Sequence, residues 1–465
     1  MTVKFQLALL ALGSFGLVVT CGCGGGTAPL TQRKMLVFGI ADSPVLSELR
    51  KTYREDRYTG SQDPARYALV VVDGDSTTPK ELGSLPLVSE ALGKRVAVML
   101  VDVGENHKAA LTGAKLTQAH TGGDSAAYLI TPLGGGRVTH LTNLRRLSLK
   151  QKRVRQVLGK DGVLQGSHQD SSSDVSIDGP HLAAYMQEIA SRLTVQRTTI
   201  TPPAPPNDYP SSHWFQTSIT DMWAKVPPLM HDQAVSHVIT YNFYVYLDSG
   251  STLPSRYFQW CAMSMNGYVG LSAPAVNTNS ERGFAHTLFA ADIAPVNTSG
   301  GNGLQLDLYD AQPTQVTNNL TSTMEFNIGY KGGPNSAWLW QQTLTQPTPG
   351  FNGWEATSPP PPSQEINAVR LQATQTNPCN GDASNWLFGI DGNTVKPMNP
   401  VSTVNFEPVG QVVWRTQEVF DGIVQVGCSS RSSLMDLAVP DSYSLITLFP
   451  DGVTINIDFS QASAD

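Results

Sequence analysis

The chain has 465 residues, 40% of them hydrophobic and 15% charged, with a net charge of −7. That length allows two to three domains with buried cores, and the acidic balance excludes the broad basic surface that a nucleic-acid partner needs. Only 8 of the 31 Lys and Arg lie after residue 200, against 21 of the 38 Asp and Glu, so the two halves differ in charge and are expected to be two separately folded modules.

The N-terminus carries Lys4, an apolar run from Phe5 to Thr20, and then Cys21-Gly22-Cys23-Gly24-Gly25-Gly26. The apolar run is too short for a stable anchor. The small-residue approach to a cysteine with a Gly tether resembles a bacterial lipoprotein signal, which implies export and lipidation at Cys21. The alternative is an ordinary secretory signal with incidental cysteines. Both make residues 1–30 a targeting segment and the mature chain an exported one.

Three continuous apolar runs follow: Met35–Ile40, Ala68–Val72 and Val96–Val101. Runs without alternation mark strands buried on both faces, as in parallel sheets. Helical stretches over 43–56 and 78–93 separate them, each opening on a proline near a Ser or Thr cap. Residues 127–141 predict a hairpin around Gly134-Gly135-Gly136 at one sheet edge, and 181–193 a closing helix. Residues 33–197 are therefore read as a three-layer α/β domain. Asp73, Asp75 and Asp102 end two of its strands, where α/β ligand sites sit. They have two readings, a hydrated-metal site or turn and helix caps. Arg145, Arg146, Lys150, Lys152, Arg153 and Arg155 form one basic run, read as a solvated helix face or turn. Residues 165–179 are polar and low in complexity, read as a loop in which His168, Asp170 and Asp174 are further metal candidates. Phosphate-binding and nucleophile-elbow motifs are absent. No cofactor is expected, and no enzymatic activity, except that an enzyme in the α/β domain resting on Asp73, Asp75 and Asp102 stays open as a third reading.

Residues 198–210 are a Pro-rich spacer. Beyond it, in residues 211–465, the period becomes two. Strands are predicted at 238–247, 257–265, 303–309, 369–374, 409–416, 423–426, 443–449 and 453–459, with one helix at 218–225. This is an all-β sandwich or barrel pattern. Of the remaining cysteines, Cys379 and Cys428 are the favoured disulfide among three possible pairings, leaving Cys261 buried beside Trp260. No zinc-like spacing occurs.

One hairpin stands apart. Met324, Phe326, Ile328 and Tyr330 alternate with Glu325, Asn327 and Gly329, a Gly332-Gly333-Pro334 tip follows, and Trp338 and Trp340 lie on the return strand. Transmembrane barrel strands alternate in this way, and so do ordinary sandwich strands. The segment 324–345, with the Pro397 to Trp414 stretch and the strand 238–247, resembles the leukocidin/haemolysin superfamily of β-barrel pore-forming toxins. The resemblance implies a homo-oligomeric ring in which each copy donates a stem hairpin to a shared barrel. It also implies membrane contact through loop aromatics, for which Phe351 and Trp354 are the most loop-like here. The partners so implied are membrane lipid and a glycan or protein receptor. The other reading is a non-lytic surface lipoprotein whose sandwich binds a glycan or protein.

Overall fold

Apolar runs of the first half become a parallel sheet. In the computed structural model, β1 (Lys34–Phe38), β3 (Leu69–Asp73) and β4 (Ala97–Val103) lie side by side and parallel. The structure describes residues 33–39, 43–133, 138–146, 149–158, 164–174, 179–195, 209–225, 235–248, 258–271, 281–296, 306–312, 321–328, 338–345, 355–357, 367–374, 405–406, 409–438, 442–450 and 452–462. Val70, Val71 and Val72 are wholly buried, as continuous aliphatic strands require.

The helix expected over 43–56 is shorter. Ser43 accepts from Leu46 N at 3.1 Å and starts α1 (Pro44–Arg50), and β2 (Arg54–Arg57) then returns parallel to β1. Its charges find partners, Asp56 with Lys34 across that pairing and Glu55 with Arg50 at the end of α1. The stretch 78–93 is likewise two helices, α2 (Pro79–Ser84) and α3 (Pro86–Gly93), because the residue before Pro86 is extended. Next come α4 (Glu105–Gly113), β5 (Ala119–Thr121), β6 (Ser125–Pro132), β7 (Val138–Arg145), β8 (Leu149–Leu158), β9 (Leu164–Asp174) and α5 (Gly179–Val195). Helices α1 and α5 bury Leu46, Leu49, Tyr185 and Ile189 on one face of the sheet. Helices α2, α3 and α4 bury Leu82, Val88 and Leu111 on the other.

The remaining strands are β10 (Trp214–Lys225), β11 (Val235–Asp248), β12 (Phe258–Leu271), β13 (Glu281–Val296), β14 (Leu306–Gln312), β15 (Thr321–Ile328), β16 (Trp338–Thr345), β17 (Glu355–Thr357), β18 (Val369–Thr374), β19 (Asn405–Phe406), β20 (Val409–Thr416), β21 (Ile423–Ala438), β22 (Ser442–Pro450) and β23 (Val453–Asp458). They do not form a separate body. One sheet runs β14-β20-β12-β11-β10-β7-β6-β4-β3-β1-β2, with β19 beside β12. A second runs β17-β18-β13-β21-β22-β8-β9, with β23 on β21 and β5 on β23.

The expected division at 198–210 is therefore bridged three times. Strand β10 pairs in parallel with β7 from Gln216↔Val138 to Met222↔Leu144. Strand β8 pairs with β22, and β5 with β23. The β6–β7 hairpin is consequently internal rather than at an edge: β7 has backbone groups on its outer side, and β10 satisfies them. The helix predicted at 218–225 is part of β10 for the same reason. Ser218 and Thr220 bond to Asn242 and Thr240 across the ladder, at 2.7 Å each. The polar stretch 165–174 is strand β9 rather than a loop, since a ladder to β8 needs only backbone groups.

Where the two sheets overlap they form a sandwich. Phe243, Cys261, Met263 and Trp414 from the first pack with Phe289, Ile293, Leu371, Val426 and Ile457 from the second, in one core that continues under α2, α3 and α4.

Candidate functional site

Among the described residues, the hairpin β15–β16 is a two-stranded sheet of its own, paired with neither large sheet. Its ladder runs from Thr321↔Thr345 to Ile328↔Trp338 without a shift. Opposed residues in an antiparallel ladder share a face. Register therefore puts Met324, Phe326 and Ile328 on the same face as Trp338, Trp340 and Leu344, where Ser322 and Gln342 are the polar exceptions. Glu325, Asn327 and Thr323 share the other with Gln341 and Thr343, where Leu339 is the apolar exception. The backbone of the hairpin comes close to β11, β14 and β20. Tyr330, Gly332 and Gly333 of the expected tip lie outside the described residues, as do Cys21, Phe351, Trp354 and Cys379.

Beside the hairpin, the outer face of the first sheet is aromatic. Tyr244 and Tyr246 on β11, Trp260 on β12 and Val413 on β20 pack together with Tyr209, and Trp214 and Phe258 border them. Alternate residues of the same strands point into the sandwich core, which is why both faces of this region read as apolar. Trp260 is anchored by donating Nε1–H to Asp248 Oδ2 at 2.7 Å. Tyr309, 54% exposed, meets its ring edge-on at 4.9 Å between centres. The Arg415 guanidinium lies 5.3 Å from the Phe258 ring centre and 5.7 Å from that of Trp260. Of these residues, Tyr309 and Arg415 were not singled out from the sequence. The available signal was an aromatic between Asp307 and Asp310 in a short strand, which reads as an edge and not as a surface feature.

Cys261 is a free thiol in the core, as expected, and its burial raises it to about 12. Cys428 corrects the disulfide expectation. It is also free and buried on β21, opposite Ile293 and Val453, so it does not pair with Cys379. Alternation along β21 turns it into the apolar core, and burial pushes its thiol up as well.

At the strand ends of the α/β half, Asp73 acts as a turn former. Its carboxylate accepts from Asp75 N at 3.2 Å and from Ser76 Oγ, while Thr77 Oγ1 donates to its carbonyl at 2.8 Å. Asp102, with φ of 53°, pairs with Arg146 at 2.5 Å. Among the described residues no group of three His, Cys, Asp or Glu could hold a metal ion. His168 and Asp170 sit in β9 opposite Arg155 and Arg153 of β8, so the basic run is strand and not helix. Arg145 departs furthest from the solvated reading: it is buried and bonds Asp221 at 2.7 Å.

No family model and no curated protein matches this chain. Among solved structures it is similar to Clostridium perfringens delta-toxin, with 11% identity and a TM-score of 0.34 over 53% of this chain and 91% of that one. It is also similar to a structure described as a pore forming protein, with 8% identity and a TM-score of 0.33 over 54% of this chain and 94% of that one. Similarity at this level is too low to fix a fold, and the geometry above stands by itself. Among the described residues no helix is long and apolar enough to cross a membrane, which says nothing of crossing by strands.

Proposed function

We propose that this is an exported, lipid-anchored protein of which several copies insert their β15–β16 hairpins into a membrane as a shared β-barrel. The observation that supports it is the hairpin's register, which puts mostly apolar residues on one face and mostly polar residues on the other, in a sheet that pairs with no other described strand. A two-stranded sheet alone is marginal in water. A closed barrel would satisfy its outer backbone groups, with the Phe326 face toward lipid and the Glu325 face toward water. Residues 33–197 are an accessory part of the same protein. The anchor at Cys21, the oligomer and the receptor belong to this proposal.

The test is dye release from liposomes by the full mature chain. Release is expected from the wild type and from Glu325→Gln. Arginine at the middle of a lipid-facing strand costs about 2–4 kcal/mol per site, so Phe326→Arg with Ile328→Arg is expected to lose release while keeping the wild-type melting temperature. No release by folded wild-type protein across neutral and anionic lipid compositions would refute the reading.

A second reading is favoured by one observation. Tyr309 and Arg415 are exposed beside the buried Trp260 ring, an aromatic and a cation of the kind that stacks on sugar rings. A surface lipoprotein binding a glycan or a protein there would release no dye, and Tyr309→Ala would weaken its retention on immobilised glycans.

A further inference from the structure

Two basic side chains are buried where the α/β half meets the sandwich. His120 lies on β5, 6% exposed, with Nδ1 3.0 Å from Thr112 Oγ1 on α4 and with Asn456 of β23 as its register partner. Asn456 Nδ2 is buried without a partner among the described residues. Lys108, on α4, is wholly buried. Its Nζ donates to Ser125 Oγ at 2.8 Å, to Thr121 Oγ1 and Gly123 O at 2.9 Å, and to Gly122 O at 3.4 Å. It also lies 5.3 Å from the centre of the Tyr128 ring. None of these contacts is a carboxylate.

The joint they flank is short. Strand β5 meets β23 from Ala119↔Ile457 to Thr121↔Ile455. Gly122 N donates to Thr454 O at 2.6 Å, Asp458 N to Gln118 O at 3.0 Å, and Gln461 Nε2 to Thr117 O at 3.1 Å. At the neighbouring joint between β7 and β10, His140 is 3% exposed, with Nε2 2.9 Å from Thr220 Oγ1.

We infer that the β5–β23 joint is an acid-released latch, in which protonation of His120 beside Lys108 frees the C-terminal strand from the α/β half while His140 loosens the joint beside it. The device does not depend on the pore reading and needs no membrane.

The charges fix its sense. Burial, and then the Lys108 cation, hold His120 down at about 4, against a weaker opposing pull from Glu105. Burial and Arg192 keep His140 well below 6.5. Both rings are thus neutral in the closed joint and take a proton only once it opens, so closure is favoured above pH 6.5 and lost as pH falls toward 4. Burial also lowers Lys108 to about 7, opposed by Glu105, Asp124 and Asp221 and assisted by Arg145. Its burden on the closed state is complete below pH 7 and fades only as pH rises toward 10.5, so it adds a fixed load in acid while the histidines supply the slope. For His120 alone, a change from 6.5 when open to about 4 when closed favours opening about 30-fold between pH 7.5 and 5.0.

The experiment is hydrogen–deuterium exchange of the full mature chain at pH 7.5 and 5.0, corrected for intrinsic rates. Residues 117–123 and 453–462 are expected to lose about 30-fold in protection at pH 5.0, with β1, β3 and β4 unchanged, and His120→Gln is expected to abolish most of that loss. Equal protection at both pH values, uniform loss over the whole chain, or the same loss in His120→Gln would overturn the latch. A direct titration covers the case in which the variant does not fold: in the native protein, a His120 ring with a pKa below about 5 by NMR supports the proposal, and any higher value overturns it.

Discussion

Asp221 shows at the scale of a residue how the two halves are held. Its carboxylate pairs with Arg145 at 2.7 Å and accepts from Asn143 Nδ2 at 3.2 Å, and Asn143 Oδ1 in turn accepts from Ser125 Oγ at 2.6 Å. Three strands, β6, β7 and β10, thus share one buried polar chain. Breaking a buried pair leaves a charge uncompensated, at a cost of about 3–5 kcal/mol. Arg145→Met is expected to lower stability by that amount in urea unfolding, and adding Asp221→Leu is expected to recover most of it. Failure of the second change to compensate would show that Arg145 acts through other contacts. Gln259 does a similar task at the chain's end. Its amide donates to Phe420 O, Phe459 O and Ala462 O at 3.1–3.2 Å and accepts from Phe420 N at 2.8 Å, tying the C-terminal turn to β12.

At the scale of elements, local chemistry set helix starts well and strand ends less well. Thr78 and Glu81 form a reciprocal cap, Glu81 N donating to Thr78 Oγ1 at 3.3 Å and Thr78 N to Glu81 Oε2 at 2.9 Å. Thr78→Ala is expected to cost about 1 kcal/mol. Denaturant melts would measure it, and an unchanged midpoint would mean that packing of Leu82 alone holds α2. Strands 369–374 and 409–416 match their predicted limits. The run 423–426 is only the start of β21, which continues to Ala438 because β13 pairs with it along its length. Strand β13 itself was not predicted. Its irregular register between Glu281 and Phe284, and between His286 and Leu288, interrupts the two-residue period that would have revealed it.

At the scale of the whole molecule, the parts of the chain on either side of the Pro-rich segment are not independent bodies. Ladders β7–β10, β8–β22 and β5–β23 all cross it. Cleavage within 198–208 is therefore expected to yield two fragments that co-elute in size-exclusion chromatography and separate only in denaturant. Separation under native conditions would mean that the ladders contribute little and that the first half behaves as a removable pro-segment.

The sequence by itself determined elements whose side chains carry their own signal. Unbroken aliphatic runs require burial on both faces, so β1, β3 and β4 were legible as parallel strands, and the clean alternation around Met324 and Phe326 marked the hairpin. What only the tertiary structure decided is which strands adjoin. Pairing uses backbone N–H and C=O groups that every residue has, so neither the joining of β10 to β7 nor the strand formed by the polar residues 164–174 leaves a trace in composition. For the same reason Arg145 read as one solvated charge among six. It is buried because β10, distant in sequence, brings Asp221 beside it, and that neighbour exists only in the folded chain.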